Sequence, residues 1–505
     1  MAIPLFNSIA SWFLKKRIHQ VELFIKYPHE VQQEVLQDLL RVSEQTEIGL
    51  NYQFSSITNY EVFKSRVPLV AYEDIAIDIN RSRKGEANIF WPTPIKWFAK
   101  SSGTTDSKSK FIPVSIEALE QCHYKAGKDM LSFYFNNNPE SELFNGKNLR
   151  LGGSQEIYDN STSYFGDLSA IIIDNMPFWA EISSTPSHKI SLMPEWEAKM
   201  DAILNESVNE NVTSFAGVPS WMMVLFNKVI EQTEKKNILE VWPNLEVFFH
   251  GGVSFKPYQN QYNNFFPGSQ LKYYETYNAS EGFFGIQDQN NSDEMLLMLD
   301  YGIFYEFIPV DGTDEDVVPL AGVSLYTNYA LVITTNGGLW RYKLGDVIKF
   351  TSVDPYRIQV VGRTKHFINA FGEELVIENA DRALFKAAQA LGVHILDYTA
   401  APIFMKEKSS GAHQWLIEFD CPPENMERFT SLLDETLREV NSDYDAKRYK
   451  DMTMRLPEIV IAKPKLFYNW LSENKKLGGQ HKVPRLSNNR DLMEELLNFN
   501  AKKPL

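Results

Sequence analysis

The chain has 505 residues, of which 44% are apolar and 13% aromatic, a length that predicts two to four domains and a composition that buries enough surface to fold rather than stay disordered. Its 50 basic and 65 acidic residues leave a formal charge of −15. No global field attracts phosphate, so nucleic acid is excluded as a general partner and any anion site must be local. Cys122 and Cys421 lie far apart, as buried thiols of a reducing compartment would, and the nine histidines form no metal-ligand spacing, so a zinc site is not expected. The apolar stretch Ile3 to Leu14 precedes Lys15, Lys16 and Arg17, the reverse of a signal peptide; it reads as an amphipathic helix, and no run is long enough to span a membrane.

Apolar positions Val31, Val35, Leu36, Leu39, Leu40 and Val42 recur at helical spacing between Pro28 and Ile48 and predict one buried helix face. A second helical stretch, Tyr60 to Ile79, is interrupted at Val67-Pro68-Leu69. Lys100 to Lys110 then gathers serines, threonines, a glycine and lysines before the strand-like Phe111 to Val114. Such a segment is a turn, or a loop whose N–H groups, hydroxyls and lysines hold a phosphate; the Walker pattern is absent. Ile116 to Phe135 reads as a helix ended by Asn136 to Pro139, and Leu168 to Ile173 as buried strand or helix. Pro219 lies near the first turn of an apolar helix running to about Glu234, with Ser220 as its cap.

Two strands end in small residues: Leu245 to Phe249 runs into His250-Gly251-Gly252, and Gln270 to Tyr277 into Asn278-Ala279-Ser280-Glu281-Gly282. This alternation predicts a layered α/β domain with its loops along one edge. Next come Ala330 to Thr335, Leu339 to Tyr342 and Val347 to Phe350, divided by turns at Asn336-Gly337-Gly338 and Leu344-Gly345-Asp346. Gln359 to Arg363 and Lys365 to Ala370 read as a further pair. The last 140 or so residues, with a strand at Gln414 to Phe419, a helix from Glu424 and a strand near Ile459, read as a smaller α+β domain. The boundary falls at a hinge near 362–365, giving domains 1–362 and 363–505.

Four stretches carry candidate chemistry, each with a plain structural alternative. In Tyr274 to Gly282 a Tyr face suits a purine and Glu281 a magnesium ion, or the segment is a solvated turn. Asp346 after Gly345 suits the two hydroxyls of a ribose, or marks a turn. Gly362-Arg363-Thr364-Lys365 with Gly372-Glu373-Glu374 is a charged hinge or a solvated hairpin. Lys482, in Gly478-Gly479-Gln480-His481-Lys482-Val483-Pro484-Arg485, is a mobile charge for an active site or part of an exposed terminal loop.

In this order, Ser-Ser-Gly-Thr-Thr, Tyr-Asn-Ala-Ser-Glu-Gly, Tyr-Lys-Leu-Gly-Asp-Val, Gly-Arg-Thr-Lys and the late lysine resemble the adenylate-forming superfamily. The wording of Phe367 to Leu375 and Gln480 to Arg485 is most similar to the auxin-responsive Gretchen Hagen family of acyl acid amido synthetases, from about Val67 to Arg485. The resemblance implies an α/β fold with a large layered adenylate-forming N-terminal domain and a smaller, mobile α+β C-terminal domain. It implies ATP and Mg²⁺ as cofactors and a small carboxylic acid and an amino acid as substrates; a cytoplasmic location is expected from the absence of targeting signals. By resemblance Ser101, Ser102, Gly103, Thr104 and Thr105 hold phosphates, Tyr277 stacks on adenine near Gly251, Gly252 and Ser280, Glu281 binds Mg²⁺, Asp346 holds the ribose, Arg363 the ribose or phosphate, and Lys110 and Lys482 serve catalysis. Gly217, Val218, Pro219 and Trp221 are expected to wall the acyl pocket. Ser107 stands where the family commonly has glycine, which would strain the loop if that position needed a positive φ. An acyl-CoA ligase shares the first half-reaction and differs in its acceptor. A nucleotide-binding scaffold without chemistry would need degraded motifs, and Glu281, Asp346 and Lys482 are all present.

Overall fold

The computed structural model describes residues 17–104, 107–151, 158–159, 161–176, 178–193, 196–253, 255, 258–268, 271–363, 367–406, 409–474 and 483–501. The amphipathic helix expected at Ile3 to Leu14 lies outside them. The N-terminal helix Pro28–Ser43 buries Leu36, Leu39 and Leu40 against Phe54, Phe63, Phe304 and Trp340. It stops at Ser43, short of the expected Ile48, and Val42 is exposed, because Thr46 instead caps a separate helix, Glu47–Asn51, by accepting from the Gly49 N–H.

A mixed sheet of 12 strands organises the larger domain. At one end Ser184–Thr185, Lys147–Arg150, Val212–Gly217, Val247–Gly251 and Lys272–Ala279 run parallel. From Lys272–Ala279 onward the pairing is antiparallel, through Gly282–Ile286, Met295–Leu297, Tyr356–Arg363, Tyr342–Val353, Asn328–Thr335, Ile303–Pro309 and Val318–Pro319. The parallel strands are connected through helices, which cover both faces. One face packs on the helix Tyr124–Asn137, where Tyr134 meets Phe249 and Tyr274 edge-on. The other packs on Pro219–Thr233, whose Met222, Met223 and Phe226 are fully buried. The stretch Leu168 to Ile173 resolves as a helix, Leu168–Asp174.

Three local expectations are corrected. Leu344-Gly345-Asp346 is no turn: Tyr342–Val353 is one strand, and Gly345, at φ +92°, is the bulge where its register against Asn328–Thr335 shifts. Ser220 does not cap its helix; Val218 occupies the cap position, and the Ser220 hydroxyl is buried without a partner. Gln359 to Arg363 and Phe367–Ile368 do not pair with each other: the first belongs to a strand beside Tyr342–Val353, the second joins Leu375–Val376. Cys122 is buried, as expected, but Cys421 is exposed.

The Ser/Thr segment is the tip of an antiparallel hairpin, Trp97–Thr104 with Ser107–Val114, in a separate four-stranded sheet with Tyr164–Gly166 and Tyr158–Asp159. The separate C-terminal domain is α+β: helices Ile377–Leu391 and Met426–Val440 pack beside a three-stranded sheet of Ile395–Ile403, Ala412–Phe419 and Glu458–Ile461. No helix among the described residues is long and apolar enough to cross a membrane.

Arg341, at the turn before Tyr342–Val353, is fixed into the scaffold rather than the site. Its guanidinium pairs with the Glu306 carboxylate at 2.8 Å and donates to the Lys64 and Val67 carbonyls, tying the helix Tyr60–Arg66 to the sheet. Both side chains are within 3% of full burial. Replacing one partner leaves the other charge buried and unpaired, so Arg341→Met is expected to lower unfolding free energy by about 3–5 kcal/mol in urea unfolding.

Candidate functional site at the carboxyl edge of the parallel strands

In open α/β sheets ligands bind beyond the carboxyl ends of parallel strands, where the pairing changes sense. Here that edge is formed by Gly217-Val218, Gly251-Gly252 and Ser280-Glu281. Gly251 has no room for a side chain: a Cβ would sit 2.5 Å from the Thr276 carbonyl. Gly252, at φ +80°, turns the chain away while keeping the ledge bare, and its nearest neighbour would be Val218 at 3.5 Å. Ser280 and Glu281 are the two-residue tip joining Lys272–Ala279 to Gly282–Ile286, with Gly282 opposite Ala279. The hairpin turn thereby pushes Glu281 to the edge.

Tyr277 reaches across to the bulged strand. Its hydroxyl donates to Asp346 Oδ2 at 2.7 Å, and its ring packs 4.9 Å from Phe284. Without the bulge at Gly345 the alternation of the strand would carry Asp346 elsewhere. Asp346 is in register with Arg363, so the two ribose candidates are neighbours across a ladder.

Glu281 is partly buried, and burial pushes its carboxyl up to about 7. Lys110 opposes the shift, while Glu374 and Asp346 add to it. Lys110 stands on the returning strand of the hairpin, opposite Ser101. Three carboxylates therefore share one edge with a lysine. Among the described residues no three metal-ligating side chains form a cage.

Ser102, Gly103 and Thr104 lie on the outgoing strand of the hairpin, and Ser107 begins the return opposite Thr104, an extended position open to any residue. Thr105, Thr364, Lys365 and Lys482, with the glycine-rich stretch before Lys482, lie outside the described residues.

The expected acyl wall is split. Gly217 and Val218 line the edge, and Pro219 accepts from the buried Tyr262 hydroxyl at 2.9 Å. Trp221 faces the C-terminal domain: its indole donates to the Phe371 carbonyl, and Lys447 Nζ lies 3.8 Å above its ring. Lys447 and Asp443, one turn apart on the helix Ser442–Lys447, carried no motif in the sequence. They are set against the first domain. Burial pushes the Asp443 carboxyl up to about 7, with Lys447 opposing and Asp167 and Glu374 adding to the shift. Burial also lowers Lys447, and it lowers Lys199, fully enclosed near Asp167, to about 8. Only tertiary contact reveals this group.

Glu281 holds its proton in the folded state above the pH at which an unfolded carboxyl releases it. Its contribution to stability is therefore complete below about 4.5 and lost as pH rises through about 7. Glu281→Gln is expected to raise the melting temperature relative to the unsubstituted protein at pH 8 and to change it far less at pH 5.

Comparison with known proteins identifies the family. The N-terminal domain model of the GH3 family matches residues 17–271, the central domain model 296–363 and the C-terminal domain model 378–491. The chain is 24% identical over 558 residues to the jasmonoyl–L-amino acid synthetase JAR6 of Nicotiana attenuata, covering 93% of each. Among solved structures it is similar to the GH3.15 acyl acid amido synthetase in complex with 2,4-DB, with a TM-score of 0.61, 20% identity and 93% of each chain covered. It is also similar to a 2-hydroxyisobutyryl-CoA ligase in complex with 2-HIB-AMP and CoA, with a TM-score of 0.57, 15% identity and coverage of 94% of this chain and 92% of that one. These last two likenesses concern the fold, and it is the three family domains in sequence that identify the protein: the chain belongs to the GH3 family.

Proposed function

We propose that this protein is an ATP-dependent acid–amino acid ligase that activates a small carboxylic acid as its acyl adenylate and passes the acyl group to an amino acid. The observation that carries the reading is the convergence, on one sheet edge, of the bare Gly251-Gly252 ledge, the Tyr277–Asp346 pair, Glu281 and Lys110.

In the first step a carboxylate oxygen attacks the α-phosphorus of ATP and pyrophosphate leaves. In the second the amine nitrogen attacks the acyl carbon, the bond from that carbon to the phosphate oxygen breaks, and AMP leaves with that oxygen. The protein must align the carboxylate and neutralise charge on phosphorus. Adenine lies on the Gly251-Gly252 ledge against Tyr277, whose hydroxyl is already committed to Asp346, so base and ribose are read by one coupled pair. Asp346 accepts from the ribose hydroxyls and Arg363 stands beside it. Ser101, Ser102, Gly103 and Thr104, on the outgoing strand of the hairpin, would bind the phosphates together with Thr105. Lys110 supplies positive charge beside Glu281, and Lys482 adds charge for adenylation. Glu281 would hold magnesium, which supplies charge neutralisation at the phosphate oxygens. Gly217 and Val218 bound the acyl side, and the C-terminal domain swings about the segment 362–365 between the two steps.

The acceptor decides between this reading and a CoA ligase. AMP release from ATP and Mg²⁺ is expected with an apolar or aromatic acid plus an amino acid, with the amide found by mass spectrometry, and to fall at least tenfold in Lys482→Ala. Release that needs coenzyme A instead contradicts the amido synthetase. Because Glu281 binds metal as the carboxylate, affinity for Mg·ATP is expected to rise about tenfold from pH 6 to pH 8, following the ionised fraction of a group near 7, and to be flat in Glu281→Gln.

A further inference from the structure

Arg150 is the last residue of the strand Lys147–Arg150. It is in register with Ala216, which faces Phe249, which faces Tyr274, so these four residues form one row across the parallel strands. Tyr274 and Phe249 pack on Tyr134, so the row lies on the face covered by the helix Tyr124–Asn137. Two strand spacings and two residues separate Arg150 from Gly251, about 12 Å between Cα positions.

Arg150 is buried, with 8% of its surface exposed, and its guanidinium is poorly satisfied. Its Nε and Nη2 have no hydrogen-bond partner, and Nη1 meets the Met176 sulfur. Burial pushes it down to about 10, and Glu181 is the acid whose charge opposes that shift. Among the described residues Glu181 makes no ion pair with it. Other buried arginines of this chain are saturated. Arg341 has Glu306 and two carbonyls, and Arg448 has Asp434 and the Met454 carbonyl. A buried, unpaired guanidinium is costly, and its planar fork matches a carboxylate. At the carboxyl edge of a parallel sheet, an unmet fork is a place built for an anion that arrives with the substrate.

We propose that Arg150 is a substrate-recognition residue whose guanidinium donates paired hydrogen bonds to a substrate carboxylate, that of the acid to be activated or that of the amino acid acceptor. The assignment rests on the amido synthetase reading for the identity of those two carboxylates. It makes Arg150 a charge kept for binding at the expense of stability.

The test uses the full chain with AMP present, sodium benzoate and L-alanine as probes, and benzamide and L-alaninamide as their uncharged-carboxyl counterparts. The melting temperature of the unsubstituted protein is expected to rise with one of the two carboxylates and not with its amide; benzoate identifies the acid site, L-alanine the acceptor site. R150M is expected to melt at or above the unsubstituted protein without probes and to bind the responding carboxylate about tenfold to a hundredfold more weakly. R150K, which keeps the charge and loses the fork, is expected to fall between them. An equal response in R150M, no response to either carboxylate in the unsubstituted protein, or an R150M that melts several degrees lower overturns the proposal. Since no turnover is measured, a carboxylate response lost in R150M alongside absent AMP release would retain Arg150 as an anion site and remove the synthetase reading.

Discussion

Three carboxylates, Glu281, Asp346 and Glu374, crowd one partly enclosed edge, and the nearest compensating charge is Lys110. Burial raises the proton affinity of Glu281, and the charges of Glu374 and Asp346 add to the effect. The rest of the structure exists in relation to that tension. The change from parallel to antiparallel pairing at Lys272–Ala279 produces the tight tip that carries Glu281. A bulge at Gly345 turns Asp346 toward Tyr277. Glu374 is brought in from the C-terminal domain and held in a left-handed conformation at φ +37°. An arrangement that concentrates negative charge in this way is stabilised by a bound cation, and the proposed magnesium follows from the same electrostatics as the raised carboxyl of Glu281.

The two domains meet through a continuous apolar core as well as through charge. Residues of the Pro219–Thr233 helix and of Tyr258 and Tyr262 belong to the same buried cluster as Phe371, Leu384 and Trp415. Tyr258 donates to the Ala370 carbonyl at 2.6 Å, Asn369 reaches the Gly252 carbonyl, and the Glu373 carboxylate accepts from the Ala370 and Phe371 N–H groups and pairs with His413. The segment following the proposed hinge is thus organised by a fully buried acid. Beyond it, Lys447 and Asp443 lean on Trp221 and the charges of the first domain. A swing of the C-terminal domain between half-reactions would exchange these contacts, and the carboxyls and lysines displaced from ordinary values by burial would return toward them.

Much of this was legible in sequence where a residue's local role fixes its conformation. Glycine before a ledge, a small-residue turn after a strand, and the order of motifs all describe backbone chemistry, and the edge carrying Gly251, Gly252 and Glu281 followed from them. What could not be read were properties created by distant partners. Gly345 looked like a turn because a bulge and a turn use the same backbone freedom, and only the neighbouring strand distinguishes them. The apolar area of Trp221 is visible in sequence, but its N–H partner, the Phe371 carbonyl, is not. Val42 sat in helical register with a buried face, yet the helix ended one residue later at Ser43. Arg150 carried no motif at all; its meaning comes from the absence of a partner, which no spacing encodes.

The central claim is that a carboxylate oxygen becomes bonded to the α-phosphorus of ATP at this edge. The measurement that tests it most directly follows ¹⁸O from a labelled carboxylic acid through a complete turnover with an amino acid, reading AMP and inorganic phosphate by mass spectrometry. The account predicts one ¹⁸O in AMP for each amide formed and none in phosphate. Label in inorganic phosphate, which would mean activation at the γ-phosphate, or amide formation with unlabelled AMP, would contradict it.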